Sequence, residues 1–178
     1  MLRLALLAAA GGVLHFLGFL GFGIWPLALL CLVPLWLALE GAPPLRAAAL
    51  FGAVFGAVSY AGGFLWMWRI VDVFLAADAW LGAAVWTLDA GWFALRYALY
   101  ALLYALLRRR GWPLALAGVP TLVVVEWLYP MLFPVYLGHA LGERLTLIQI
   151  GDLGGPLRLT TRVALLTAAA CSAWLWWR

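Results

Sequence analysis

Long, nearly uninterrupted apolar runs, separated by short clusters of Gly, Pro and charge, set the pattern of the chain. Six such runs stand out: 4–20, 25–39, 45–68, 79–107, 112–129 and 157–177. They are continuous rather than alternating, which argues for helices buried on all sides and against a β-barrel. A helix needs about 20 apolar residues to cross roughly 30 Å of hydrocarbon, and it satisfies its backbone internally. The expectation is an all-α integral membrane domain over 1–178, a polytopic bundle of about six transmembrane helices.

The breaks have local causes. Gly21 and Gly23 loosen the first, and Trp25-Pro26 restarts a helix where a missing N–H is harmless. Gly41 to Pro44 make the next turn, and Arg108-Arg109-Arg110-Gly111 ends the fourth run with cations at the helix C-terminus. The fourth run is long enough to require tilt or projection from the bilayer. One long stretch, 130–156, breaks the pattern with Pro130, Pro134 and several Gly, and is expected to form a periplasmic, interfacial or re-entrant loop.

Arginine sets an orientation. Arg3, Arg46, Arg108 to Arg110 and Arg178 fall on one side of a six-span arrangement, against Arg69 and Arg144 opposite, with Arg158 and Arg162 near the last span. That excess predicts both termini inside. A competing reading takes Arg3 and the run to Gly12 as a cleaved leader, but the apolar stretch continues past Gly12, and the first helix is expected to stay.

Composition agrees with the pattern and narrows the chemistry. Hydrophobic residues are 68% of 178, charged residues 10%, and mean hydropathy is +1.07, far from the roughly 25% charge of soluble domains. Nucleic-acid binding has little polar surface to work from. The net charge of +4 comes entirely from Arg; Lys and Asn are absent. Cys31 and Cys171 lie inside apolar runs and read as packing residues. His15 and His139 are too far apart in sequence to suggest zinc, and no cofactor or metal is expected. Ser59 and Ser172 lack any nucleophile-elbow context. Gly52 and Gly56 offer a small-residue face for close helix approach.

Ionisable groups inside spans are expensive and therefore informative. Asp89 and Arg96 lie seven residues apart on nearly one face of the fourth helix, and Glu126 lies in the second half of the fifth. These three are the candidate intramembrane polar or lipid-cleft residues. A structural Arg96–Glu126 pair fixing helix packing stands beside a role in binding a polar headgroup. His15 reads as a neutral imidazole bonded to a neighbouring helix.

Several strings together resemble one family. Phe19-Leu20-Gly21-Phe22-Gly23-Ile24-Trp25-Pro26-Leu27-Ala28 with Pro34-Leu35, then Phe51-Gly52-Ala53-Val54-Phe55-Gly56, Gly63-Phe64-Leu65-Trp66, Glu126-Trp127-Leu128 and Leu147-Ile148-Gln149-Ile150-Gly151-Asp152-Leu153-Gly154 are similar, in order, to the membrane domain of bacterial apolipoprotein N-acyltransferases. Tyr129-Pro130 and Gly154 to Pro156 depart from the usual strings.

The resemblance implies a multi-pass protein of the bacterial inner membrane. Its expected partners are membrane lipids through phospholipid acyl chains, and a lipoprotein or a separate nitrilase-like chain. In the family, a nitrilase-like domain supplies Glu, Lys and Cys to move an acyl chain from phospholipid to lipoprotein. None of those catalytic residues maps here, so the expectation is a membrane domain without its catalytic domain and non-catalytic by itself. A small transporter or channel subunit, or a membrane scaffold, is the alternative; no internal repeat supports the transporter.

Overall fold

The computed structural model describes residues 1–18, 22–75, 78–131, 134–142, 149 and 155–177. Among these, seven α-helices form: α1 (Leu2–Gly18), α2 (Leu32–Glu40), α3 (Leu45–Gly63), α4 (Leu65–Leu75), α5 (Ala79–Arg109), α6 (Leu114–Leu128) and α7 (Gly155–Trp177). Two single 3₁₀ turns, Trp25–Leu29 and Leu137–Leu141, sit between them.

The six-span arrangement is corrected here. Only α3, α5 and α7, with 19, 31 and 23 residues, are long and apolar enough among the described residues to cross a membrane. The other runs are apolar but their helices are short. α1 has 17 residues, about 26 Å at 1.5 Å per residue. The run 25–39 divides into the 3₁₀ turn after Pro26 and the nine-residue α2. The run 45–68 stops at Gly63, and a separate α4 carries Arg69 and Asp72 onward. α6 has 15 residues and contains Pro120, so it spans about 22 Å. Continuous apolarity thus marked buried helices as well as spanning ones. The even count that placed both termini inside goes with the six spans.

α3 and α5 form the central pair, with α1 against α3, α4 against α5, and α7 against α6 and the Leu137–Leu141 turn. Small residues set the central spacing. A Cβ on Gly52 would lie 2.1 Å from the Tyr97 carbonyl oxygen, and one on Gly56 would lie 2.7 Å from that of Phe93. The GxxxG pair is therefore the seam on which α5 rests, with backbone close to backbone. The core between these helices is aromatic: Trp36, Phe51, Phe55, Tyr60, Tyr97, Tyr100 and Tyr104 are all essentially buried.

Tyr97, Tyr100 and Tyr104 follow i, i+3, i+7 spacing, so their rings share one face of α5. Trp36 Nε1 donates to Tyr100 Oη at 2.6 Å, and its ring stacks on Tyr104. Tyr104 donates to Glu40 Oε1 at 2.7 Å, and Arg108 holds both Glu40 oxygens. Arg109 donates to the Pro43 carbonyl, so the C-terminal end of α5 is fastened to the α2–α3 turn. Burial opposes the charge on Glu40, but the bonds from Arg108 and Tyr104 outweigh it and hold the carboxyl below its ordinary range.

Candidate functional site

Two of the three candidate residues meet. Arg96 on α5 and Glu126 on α6 are 1% and 0% exposed, with Arg96 Nη2 3.5 Å from Glu126 Oε1. Burial of two charges is tolerable only when the remaining donors and lone pairs are occupied. Glu126 Oε1 accepts the Leu137 N–H at 2.8 Å, and Oε2 accepts the Thr160 hydroxyl at 2.8 Å. Thr160 Oγ1 in turn accepts the Gly138 N–H at 2.9 Å.

The guanidinium is equally engaged. Its Nη1 donates to the Val135 carbonyl at 2.8 Å and lies 2.9 Å from Met131 Sδ. Its Nη2 donates to Tyr60 Oη at 3.0 Å and Tyr97 Oη at 3.3 Å, while the rings of Phe93 and Tyr97 flank it at 5.1 and 5.0 Å. Nε has no hydrogen-bond partner among the described residues. The chemical consequence is a clasp: one ion pair ties α5, α6 and α7 to the segment that follows α6. That segment turns through Leu137–Leu141, whose Leu137, Gly138, Ala140 and Leu141 are buried. A Cβ on Gly138 would lie 2.5 Å from the Pro156 carbonyl, so the turn is pressed directly against α7.

Asp89 stands apart from this pair. It lines an apolar cavity of about 840 Å³ built from α4, the first half of α5 and Pro130, Met131 and Val135. That volume lies within the roughly 300–1,000 Å³ usual for small-molecule sites. Phe64, Met67 and Val71 form one wall, Val85, Leu88, Trp92 and Phe93 another, and Pro130, Met131 and Val135 close it beside the clasp. Trp66, Ile70, Leu88 and Trp92 are also 40% exposed or more, so the cavity continues into the outer apolar surface. Asp89 Oδ2 is buried and has no hydrogen-bond partner among the described residues. Trp92 Nε1 donates to the Pro130 carbonyl at 2.9 Å and Tyr129 Oη donates to the Trp92 carbonyl at 2.7 Å, which fixes the indole at the rim.

Against this geometry, the N-terminal domain model of apolipoprotein N-acyltransferase matches residues 11–169. The apolipoprotein N-acyltransferase of Ralstonia nicotianae is 31% identical over 182 aligned positions, covering 96% of this chain. The chain belongs to the apolipoprotein N-acyltransferase family. It spans 35% of the Ralstonia protein's length, and the match is to the family's N-terminal domain. It is a multi-pass membrane domain embedded in the lipid bilayer, with the inner-membrane location of that family.

Within that family frame, several of the quoted strings have a physical role. Phe51 to Gly56 lies on the α3 seam, and Gly63-Phe64-Leu65-Trp66 is the junction of α3 and α4 at the cavity. Glu126 of the Glu-Trp-Leu string holds the clasp. Most of Leu147 to Gly154, together with Phe19 to Gly21, Arg144 and Arg178, lies outside the described residues. Candidate reading missed Tyr60, Tyr97 and Thr160 around the pair, and the Glu40–Arg108 tie. The tyrosine spacing along α5 was a visible signal for Tyr97; Tyr60 on α3 and Thr160 on α7 had none. His15 is buried in α1 with Nε2 3.5 Å from Tyr97 Oη, a contact between helices.

Proposed function

We propose that this chain is the lipid-holding membrane module of an apolipoprotein N-acyltransferase, and that the cavity between α4, α5 and the residues Pro130, Met131 and Val135 receives a phospholipid acyl chain. The apolar cavity of about 840 Å³ carries the reading, since its walls are almost wholly hydrocarbon and aromatic and it continues into the exposed apolar surface. The Arg96–Glu126 clasp supports it by holding Met131 and Val135 in place as one wall. The acyl transfer from phospholipid to lipoprotein belongs, in this reading, to the whole enzyme. With no Lys in its 178 residues, this chain cannot form a Glu–Lys–Cys set, and its part is to bind and orient the lipid.

Filling the cavity tests the reading. Val85→Trp places an indole in the cavity, whereas Leu165→Trp places one on a half-exposed position of α7. Native mass spectrometry of the chain from detergent should show retained phospholipid for the wild type and Leu165→Trp, and its loss for Val85→Trp. Equal retention in all three would overturn the assignment of the cavity.

A further inference from the structure

Arginine supplies all of the fixed positive side-chain charge in this chain. Its planar fork pairs with phosphate through two bonds, where lysine offers a point charge. The fold gathers five arginines at one end of the bundle. α3 opens with Arg46, α5 closes with Arg108 to Arg110, and α1 opens with Arg3 beside the α2–α3 turn, where a Cβ on Gly41 would lie 4.0 Å from Leu4 Cδ1. The one carboxylate at this end among the described residues is Glu40, and Arg108 and Tyr104 already hold both of its oxygens. Arg109 gives one N–H to the Pro43 carbonyl. Arg3, Arg46 and Arg110 are exposed, and no hydrogen bond or ion pair among the described residues engages them.

Between the α2–α3 turn and the end of α5 lies a wedge of about 140 Å³, lined by Glu40, Ala42, Pro43, Ala105, Arg108 and Arg109. It has room for a phosphate group but falls well under the roughly 300–1,000 Å³ of a whole small-molecule site. The turn is stiff: Ala42 sits at φ 48°, in the left-handed region that a Cβ disfavours, and Pro43 and Pro44 follow it. A ligand that enters by its phosphate alone leaves its bulk outside, and the surroundings here are those of a bilayer boundary. α7 runs beside α2 from the Thr167–Leu29 bond onward, so its exposed Trp176 and Trp177 end near the exposed Trp112. Tryptophans so placed mark the level of the lipid headgroups.

We propose that this end of the bundle is a binding site for an anionic phospholipid, separate from the α4–α5 cavity. The phosphodiester seats at the wedge beside Arg109, with Arg46, three residues past Pro43, and Arg110 completing a cationic rim. An anionic head is favoured over a zwitterionic one because the only nearby carboxylate is spent on Arg108 and Tyr104. A head ammonium would meet arginines alone, whereas a phosphate without one meets several uncompensated charges. Arg109 lies about 24 Å along α5 from Phe93 of the cavity, so the two sites are occupied independently.

The test is native mass spectrometry of the chain in neutral-detergent micelles, titrated with phosphoglycerol or phosphocholine lipid of identical acyl chains. The wild type is expected to bind the phosphoglycerol lipid preferentially and saturably. Affinity for it should fall about fivefold for each arginine removed, so roughly 25-fold in Arg46→Gln/Arg110→Gln. Neither side chain has a partner to lose, so retention of the phosphocholine lipid should stay at the wild-type level. Arg158→Gln makes the same type of charge change at the opposite end of α7 and should leave the preference intact. The preference should also persist in Val85→Trp, whatever that variant does to the cavity. Millimolar glycerol 3-phosphate should not displace the lipid. Equal affinity for the two lipids, a wild-type preference in Arg46→Gln/Arg110→Gln, or a matching loss in Arg158→Gln would overturn the inference. So would loss of the preference in Val85→Trp, which would put the anionic lipid in the cavity, or displacement by glycerol 3-phosphate, which would make the occupant a soluble phosphate.

Discussion

Removing the Glu126 carboxylate is the sharpest perturbation of the clasp. In Glu126→Ala the Arg96 guanidinium, 1% exposed, loses its counter-charge, and the Leu137 N–H and Thr160 hydroxyl lose acceptors at 2.8 Å. Breaking one side of a buried pair costs about 3–5 kcal/mol, and each orphaned donor adds roughly 1–3 kcal/mol where it cannot find another acceptor. These terms overlap, so we expect a loss of about 4 kcal/mol, a large part of the ~5–15 kcal/mol that holds a typical domain. Glu126→Gln keeps an acceptor for Leu137 and can offer its amide to Thr160, so it should cost less, about 2–3 kcal/mol from the lost ion pair. The assay is reversible unfolding in mixed micelles, read with amide exchange at Leu137 and Gly138. The double variant Arg96→Met/Glu126→Met should be more stable than the sum of its single variants by about 1.5 kcal/mol or more. Additive costs, or Glu126→Ala unfolding as late as an exposed-site control such as Leu165→Ala, would refute the clasp.

Other predictions are independent of it. Gly52→Val would drive a side chain into the Tyr97 carbonyl and the Ala101 methyl, separating α3 from α5 at a cost of about 1–3 kcal/mol. Gly91→Ala on α5, where a Cβ meets nothing within 4 Å, should instead stabilise by roughly 0.5–1 kcal/mol; thermal melts of both variants check the pair. Glu40 has a carboxyl pKa lowered on folding, so its tie to Arg108 contributes in full above the unfolded carboxyl pKa and is lost as pH falls through the folded one. A Tm–pH profile should therefore show an acid limb that is shallower in Glu40→Gln; identical acid limbs would remove Glu40 from the account.

Much of this was legible in the sequence, and the failures have a common physical cause. Hydropathy identifies where a helix is surrounded by apolar matter, but lipid and protein interior are alike in that respect. α2 and α6 read as spans because Leu32 to Leu39 is apolar throughout and Leu114 to Leu128 is apolar but for Thr121 and Glu126, yet the helices are 9 and 15 residues long and pack against the bundle. The third run concealed a break at Phe64, after which α4 turns amphipathic enough to wall a cavity. The Gly52/Gly56 spacing was visible, though spacing alone could not say that α5 was the partner.

The candidate site was legible by cost. Asp89, Arg96 and Glu126 stand out because charge is rare in such a chain, and each has a distinct position in the structure. What sequence could not supply was the division among them. Arg96 and Glu126 meet where α5 packs on α6, and the Val135–Gly138 segment that occupies their remaining groups has no periodicity to read. Asp89 remains outside that network because its turn of α5 faces the cavity.

The most direct test of the lipid-holding role is photo-crosslinking with a phospholipid carrying a diazirine near the end of its acyl chain, followed by peptide mapping of the labelled protein in nanodiscs. The account predicts labelling concentrated on Met67 to Val71, Val85 to Phe93, and Pro130, Met131 and Val135. Labelling spread over exposed apolar positions such as Val13, Leu50 and Leu166, in proportion to their exposure and unaffected by Val85→Trp, would contradict it.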